Sequence, residues 1–229
     1  MELSAPAEDC LLLVHRLGER AEPVSTSALA RELGVTDSTV TAMIQKLARR
    51  RLLHYKPRRE ISLTRQGGEI ARRLIRRHRL IETYLCDQLG YSWDEVHAEA
   101  ERIEHAVSER FVNAISAKLG HPAFDPHGDP IPSRDGNEVA RTLVRLSELA
   151  PEQEAVVARV QGMKPETLIY LASLDLKPGA RVRVTLSPVH DAVIHVEVNG
   201  KDVVIGELLA DQILLELVPA AKPTSRRIR

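Results

Sequence analysis

The first sixty residues place hydrophobic side chains at intervals of three and four, which is typical of short amphipathic helices. A first helix is predicted over 8–20, and a second over 28–33, where hydroxyl side chains precede it and Gly34 can end it. Thr36 or Asp37 can cap a third helix. The apolar face of that helix holds Val40, Met43, Ile44 and Leu47. This order of helix, tight turn and helix predicts a helix-turn-helix unit.

The pattern then changes to two short strands and a set of longer helices. Segments 52–56 and 61–64 flank a turn rich in Pro and Arg, so they predict a two-stranded wing. A long helix is predicted over 64–89, and two more over 92–105 and 108–120, each with a Ser or Thr at its start. The N-terminal half is therefore predicted to be mainly helical.

From about Ser147 the hydrophobic period shortens to two, which predicts strands. Five strands are predicted at 156–160, 181–186, 192–198, 201–205 and 213–218. Asn199-Gly200 separates two of them and is a strong signal for a two-residue hairpin. One short helix is predicted over 166–174. A small antiparallel barrel fits this pattern, because closure removes exposed sheet edges.

The fold class expected is thus mainly α with a small all-β domain. Pro and Gly crowd the segment 121–132, which excludes helix and strand there and marks the exit from the helical part. The predicted domains are a winged helix-turn-helix over 1–65, a helical domain over 66–136, a linker over 137–150, the barrel over 151–219 and a flexible tail over 220–229.

The distribution of charge indicates DNA as a partner. The chain has 32 basic and 32 acidic residues, so its net charge is zero. Between Arg49 and Arg79, however, twelve Lys and Arg residues face only two Glu. Positive charge of this density beside a helix-turn-helix is typical of a phosphate-binding surface. A solvated helix face, or a winged helix that binds only protein, is the alternative.

Short side chains on the third helix would allow it to approach the base edges in the major groove. The predicted base contacts are Ser38, Thr39 and Ala42. The predicted phosphate contacts are Thr36, Thr41, Gln45, Lys46 and the wing residues Arg58 and Arg59.

Nothing in the sequence indicates a membrane or an oxidising compartment. No apolar run approaches the roughly 20 residues that span a bilayer, and the N-terminus lacks the basic and apolar regions of a secretory signal. Cys10 and Cys86 lie far apart, which argues against a disulfide framework or a zinc knuckle. We therefore expect a cytoplasmic protein.

One strip of a predicted helix collects four potential metal ligands at spacings of four, three and one: His97, Glu101, Glu104 and His105. His78 and Glu82 form a second pair, four residues apart on the preceding helix. Imidazole and carboxylate groups grouped in this way indicate a site for a divalent cation. A salt-bridged face with Arg102 and Arg110 is the alternative, and it needs no cation.

These motifs, in this order, resemble the diphtheria toxin repressor family. The resemblance rests on the helix-turn-helix with its wing, the two His and Glu motifs and the loop His121-Pro122-x-Phe124-Asp125-Pro126-His127-Gly128, over roughly 8–131. The terminal barrel resembles the SH3-like (FeoA-like) domain of the longer members. The resemblance implies a helical metal-binding and dimerisation domain and a homodimeric, metal-dependent repressor. In this family a cation orders the N-terminal helix, and the dimer then binds palindromic operators of metal-uptake genes.

The family also implies which residues hold the metal. By position, the primary site would be Asp9, Glu101, Glu104 and His105. The ancillary site would be His78, Glu82 and His97, and Gln161 matches a further ligand that the barrel can add.

The ligand types favour Mn(II) over Fe(II). Iron-responsive members have Met and Cys where this chain has Asp9 and Glu101, whereas manganese-responsive members have Asp and Glu. Hard carboxylate oxygens suit Mn(II), so it is the expected cofactor and Fe(II) is the second choice. Leu12 departs from the pattern of shorter manganese-responsive members, which often have Glu there.

Two hypotheses from other classes compete with this one. A metalloenzyme with a dinuclear carboxylate–histidine site is the main alternative, but Arg102 stands where a ferritin-like Glu-x-x-His motif needs Glu, and no His-Glu-x-x-His motif occurs. A winged-helix regulator with an organic effector is the other, and 3% aromatic residues disfavour a large aromatic pocket. We expect no enzyme activity.

Overall fold

The computed structural model describes residues 3–19, 23–56, 60–162, 164–186 and 193–218. Arg58, Arg59 and the tail 220–229 lie outside these residues, so the predictions made for them stay predictions. The chain divides into two compact units. The first comprises Met1–Tyr84, Ala98–Ala123 and Ile131–Val139, and the second Leu85–His97, Phe124–Pro130 and Ala140–Arg229.

The first unit begins with three helices and a wing. Helices α1 (Ala5–Glu19), α2 (Thr26–Leu33) and α3 (Asp37–Arg49) precede the antiparallel strands β1 (Leu53–His54) and β2 (Ser62–Leu63). Their apolar faces share one core. Its fully buried members include Leu11, Leu29, Val40, Ile44 and Ile61. The predicted helix-turn-helix and wing are present.

Local capping explains where these helices begin and end. The Ser25 hydroxyl accepts a hydrogen bond from the backbone N–H of Ala28 at 3.1 Å, and Thr36 accepts one from Thr39 at 3.3 Å. Gly34 ends α2 in the left-handed region at φ +65°, where a side chain would be strained. The end of α2 at Gly34 and the cap of α3 at Thr36 agree with the predictions from the sequence.

Two more helices follow the long helix α4 (Arg65–Leu89) along the chain. They are α5 (Val96–Ile103) and α6 (Glu109–Lys118), and a 3-10 turn over Glu104–Ala106 lies between them. The predicted α-helix over 92–105 is therefore wrong at both ends.

The two ends of α5 have local causes. The Ser92 hydroxyl donates to Glu95 at 2.7 Å instead of accepting a backbone N–H, and the helix begins only at Val96. Val107 is extended, as is Ser108, which caps α6 by accepting from Phe111. The chain has to leave the helix before Val107, and a tight 3-10 turn completes that exit.

The second unit is built on a six-stranded antiparallel sheet in the order β3-β8-β4-β5-β6-β7. The strands are β3 (Val144–Arg145), β4 (Glu154–Val160), β5 (Arg181–Leu186), β6 (Val193–Val198), β7 (Lys201–Gly206) and β8 (Ile213–Leu217). Helices α7 (Pro165–Ser173) and α8 (Glu207–Ala210) join strands. Asn199 and Gly200 both have positive φ in the β6–β7 turn, as the predicted hairpin requires.

The range 137–150, predicted as a linker, contains ordered structure. Val144 pairs with Leu215 in the sheet, and Leu146 lies fully buried in the core of the second unit. Burying a leucine contributes about 1.5–3 kcal/mol, so this part of the range belongs to the folded domain. The sequence missed β3 because two residues are too few to show a period.

The architecture agrees with the predicted fold class, which is mainly α with a small all-β domain. Among the described residues, no helix combines the length and the apolar character needed to cross a bilayer.

Candidate metal centre and DNA-reading surface

Three predicted ligands from two distant parts of the sequence meet in the first unit. Asp9 lies on α1, and Glu104 and His105 lie on the 3-10 turn. One potential ligand atom from each lies within 4.8 Å of the others. His105 Nε2 is 3.0 Å from Asp9 Oδ1 and 3.7 Å from Glu104 Oε1. Two carboxylates and one imidazole therefore converge on a small volume.

The folding of α1 and of the turn explains this convergence. The apolar residues Cys10, Leu11 and Val14 are buried in the core of the first unit, which places the neighbouring Asp9 at the edge of that face. The 3-10 turn buries Glu104, whose residue is 5% exposed, while His105 keeps part of its ring accessible. The site is thus accessible to solvent beside Asp9 and shielded from solvent beside Glu104.

The electrostatics of this group suit a cation. Burial raises the pKa of the Asp9 carboxyl, the charge of His105 opposes this, and the charges of Glu104 and Glu8 raise it further, so that it lies above its usual value. Crowded carboxylates of this kind are relieved by a cation. Carboxylate oxygens and an imidazole nitrogen are donors that Mn(II) and Fe(II) accept. The residues present therefore fit a divalent metal ion.

His78 joins this group to a second carboxylate. Its Nδ1 is 3.0 Å from Glu104 Oε2, and its Nε2 is 2.9 Å from Glu82 Oε1. Burial of the ring lowers its pKa, but the Glu82 charge and the hydrogen bonds to Glu104 and Glu82 outweigh this and raise the pKa to about 10. At neutral pH His78 therefore carries a proton on both nitrogens and donates to both carboxylates.

Sequence reasoning missed two members of this network, Glu8 and Arg77. His105 Nδ1 donates to Glu8 Oε2 at 2.8 Å, and Arg77 Nη1 lies 3.4 Å from the same oxygen. Arg77 also donates to the backbone oxygen of Glu104 at 3.2 Å and to Glu109 Oε1 at 3.2 Å. No spacing rule connects Glu8 with a histidine 97 positions later. Only the tertiary fold reveals this contact.

Part of the predicted phosphate-binding cluster is turned inward instead. The Arg77 side chain is only 13% exposed. Arg76 donates to the Pro132 carbonyl and to the Ser116 hydroxyl, both at 2.9 Å. These two charges hold the helices of the first unit together, so they are not part of the surface that the sequence assigned to DNA.

Three other predicted ligands are not members of the group formed by Asp9, Glu104 and His105. Glu101 is exposed on α5 and is not a member of the group formed by Asp9 and its two neighbours. His97 lies one turn earlier on α5 and is counted with the second unit. Gln161 is exposed in the second unit, where its backbone N–H donates to the Gln212 carbonyl. Their roles as ligands stay predictions.

Helix α3 carries most of the residues that are predicted to contact DNA. Val40, Ile44 and Leu47 face the core of the first unit. The predicted contact residues that are exposed are Thr36, Ser38, Thr39, Ala42, Gln45 and Lys46. Thr41 is half-buried, and its hydroxyl donates to the Asp37 carbonyl at 2.7 Å. Small side chains on the open face leave room for close approach to a base edge.

Three known domain families match consecutive parts of the chain. Residues 2–61 match the N-terminal DNA binding domain of the iron dependent repressors, and residues 64–133 match their metal binding and dimerisation domain. Residues 144–217 match the FeoA domain. A DNA-binding domain beside a dimerisation domain indicates a homodimer that binds DNA.

Individual proteins and structures agree with these matches. The iron-dependent repressor IdeR of Mycobacterium tuberculosis is 34% identical over 201 residues, covering 82% of this chain and 86% of that protein. The diphtheria toxin repressor of Corynebacterium diphtheriae is 27% identical over 225 residues, covering 94% and 98%. A solved manganese-dependent transcriptional repressor in complex with manganese has a TM-score of 0.82 at 38% identity, covering 93% of this chain and all of that one.

The relatives are regulators, which leaves the metalloenzyme alternative without support. The matches extend from residue 2 to residue 217 and include helix α3 and the turn that carries Glu104 and His105. The chain therefore belongs to the iron-dependent repressor family typified by the diphtheria toxin repressor, and it is a metal-dependent, DNA-binding transcriptional repressor.

Proposed function

We propose that Mn(II) is the activating ion, held by Asp9, Glu104 and His105. The observation that carries the proposal is the meeting of these three side chains in one unit, within 4.8 Å, without a thiolate or thioether among them. Hard oxygen donors favour Mn(II) over softer, later metals. Relatives described as manganese-dependent and as iron-dependent both occur, so Fe(II) is the second candidate.

Glu101 is proposed as the fourth donor, because it lies three residues before Glu104 at the end of α5. Its side chain would have to turn from its exposed position to join the group. The proposed ancillary site consists of His78, Glu82 and His97, with Gln161 as an additional donor. His78 and Glu82 already touch, at 2.9 Å.

When bound, a divalent ion would supply positive charge that offsets the crowded carboxylates, and the Asp9 and Glu104 oxygens and the His105 imidazole would hold it. Asp9 contributes from α1, the helix that packs in one core with the DNA-reading helix α3. Glu104 and His105 contribute from the 3-10 turn between α5 and α6 in the same unit. His105 Nε2 must release its proton for this, which makes metal affinity fall at low pH. Joining Asp9 to the turn fixes α1, and with it the position of α3.

The position of α3 matters because a dimer must place two reading helices in successive major grooves. In helix-turn-helix dimers the half-sites lie about one helical turn, roughly 34–36 Å, apart. We propose that the homodimer binds a palindromic operator in the promoters of metal-uptake genes, in the cytoplasm. Ser38, Thr39 and Ala42 would contact base edges. The phosphate contacts would come from Thr36, Thr41, Gln45, Lys46, Arg58 and Arg59.

Fluorescence anisotropy with a labelled promoter of a neighbouring metal-transport gene tests this proposal. The full-length protein is titrated at fixed salt with chelator, with Mn(II) and with anaerobic Fe(II), since salt alone changes such affinities strongly. We expect tight binding only with metal, at a lower concentration of Mn(II) than of Fe(II), and weaker binding when one half-site is scrambled. Equal binding in chelator would overturn the proposal, and a preference for Fe(II) would overturn the choice of ion.

A further inference from the structure

Glu8 lies beside the proposed metal ligands but contacts the opposite side of the imidazole. The Glu8 Oε2 atom accepts a hydrogen bond from His105 Nδ1 at 2.8 Å. The other ring nitrogen, Nε2, is 3.0 Å from Asp9 Oδ1. The ring of His105 is therefore held between two carboxylates from adjacent residues of α1, each of which contacts a different nitrogen.

This arrangement excludes Glu8 Oε2 as a ligand of an ion bound at Nε2. The two nitrogens of an imidazole point away from each other, so an atom in contact with Nδ1 faces away from an ion at Nε2. Glu8 is absent from the group formed by Asp9, Glu104 and His105, although its side chain is only 15% exposed. The Glu8 carboxylate is nearly buried and lies outside the proposed ligand group, so we infer that it has another role at the site.

Arg77 fixes the position of Glu8 in turn. Arg77 Nη1 is 3.4 Å from Glu8 Oε2 and 3.2 Å from the Glu104 backbone oxygen, so one guanidinium contacts both α1 and the 3-10 turn. Its charge balances the Glu8 carboxylate inside the unit. The Glu8 side chain is thereby held where it can accept from His105.

We propose that Glu8 is a positioning residue that keeps the proton of His105 on Nδ1 and turns Nε2 toward Asp9 and Glu104. This inference rests on the proposed metal site. Histidines that bind metals commonly donate their other N–H to a carboxylate, which fixes the tautomer, orients the ring and makes the ligating nitrogen more basic. Loss of such a partner typically lowers metal affinity by roughly 10- to 100-fold.

Direct measurement of Mn(II) affinity of the full-length protein, by titration calorimetry without DNA, tests the proposal. We expect Glu8→Ala to weaken Mn(II) binding by roughly 10- to 100-fold. Glu8→Gln keeps an oxygen acceptor in the same place, so it should restore most of that affinity. Glu19→Gln is the matched control, because Glu19 lies on the same helix with an exposed side chain and should bind like the wild type.

A spectroscopic readout separates positioning from packing. In the Cd(II)-loaded protein with isotope-labelled histidine, the wild type should show cadmium coupling on Nε2 of His105 and a protected proton on Nδ1. In Glu8→Ala the Nδ1 proton should lose its protection, and the coupling should weaken or move to Nδ1. An unchanged spectrum, or Mn(II) affinity equal to that of the wild type, would overturn the proposal.

The same titration distinguishes failure of this inference from failure of the metal site itself. Asp9→Ala should abolish the binding of one Mn(II) ion. If Asp9→Ala binds Mn(II) like the wild type, the proposed site is wrong. If Asp9→Ala loses that ion and Glu8→Ala binds it with wild-type affinity, the site stands and the role of Glu8 is wrong.

Discussion

Removal of the Glu104 carboxylate should affect both metal binding and the stability of the metal-free protein. The Glu104 residue is 5% exposed and contacts His78 at 3.0 Å and His105 at 3.7 Å. Glu104→Ala removes a charge-assisted hydrogen bond, which typically contributes about 1.5–3 kcal/mol. His78 keeps its second partner, Glu82 at 2.9 Å, so the protein should still fold.

Glu104→Ala should weaken metal affinity more than a substitution of any residue that does not bind the ion directly. Such outer partners are worth roughly 10- to 100-fold, so loss of a direct donor should weaken Mn(II) binding by more than about 100-fold. Titration calorimetry measures the affinity, and urea unfolding in chelator measures the stability. Operator binding by Glu104→Ala in Mn(II) should resemble that of the wild type in chelator.

Glu99→Ala is the matched control for this experiment. Glu99 lies on α5 with a half-buried side chain and pairs with the exposed Arg102 at 2.8 Å. Ion pairs of this kind contribute about 0–1 kcal/mol, so the loss of stability should be no larger than that, and Mn(II) affinity should stay close to that of the wild type. A folded Glu104→Ala protein that binds Mn(II) as tightly as Glu99→Ala would refute the reasoning.

Three further predictions concern the backbone, pH and salt. Gly67→Ala should destabilise the protein by about 1–3 kcal/mol, because the added Cβ would lie 2.0 Å from the Leu52 carbonyl oxygen. At Gly68 an added Cβ meets only the tip of the flexible Arg72 side chain at 3.5 Å, so Gly68→Ala should raise the free energy of unfolding in urea by up to about 1 kcal/mol. The free energy of unfolding of the metal-free protein should fall by roughly 1.5–3 kcal/mol as pH rises from 6.5 toward 10. In this range the folded state keeps the His78 proton, whereas the unfolded state has released it. His78→Gln should make the stability less dependent on pH. Lys46→Ala should reduce the slope of log affinity against log salt by about one in operator titrations.

Each of these predictions has a clear contradicting result. Equal stability of the two glycine variants would contradict the close approach at Gly67. A pH profile that is the same with and without His78 would contradict the raised pKa. An unchanged salt slope in the Lys46 variant would show that this side chain does not contact phosphate.

The first three helices were predictable because they depend on local rules. Ser25, Gly34 and Thr36 set helix ends through contacts within four residues, and the burial of Val40 and Ile44 follows from helical period alone. The Asn199-Gly200 turn is predictable for the same reason, since its positive φ angles demand those residues. Local chemistry of this kind is visible in sequence.

The missed features depend on contacts between distant residues or on competition between neighbouring elements. Arg77 appears as one more positive charge in a basic run, and only the fold shows that it is buried against Glu8. Glu104 and His105 were predicted on a continuous helix, but the extended conformation at Val107 forces the 3-10 turn. That turn places them beside Asp9, so the site depends on an irregularity that helical periodicity could not predict.

The central claim is that joining Asp9 to the turn that carries Glu104 and His105 switches on DNA binding. Operator anisotropy of Asp9→Ala in saturating Mn(II), measured beside wild type in Mn(II) and in chelator, tests it most directly. We predict that Asp9→Ala in Mn(II) binds as weakly as the chelated wild type. Binding as tight as that of the Mn(II)-loaded wild type would contradict the claim.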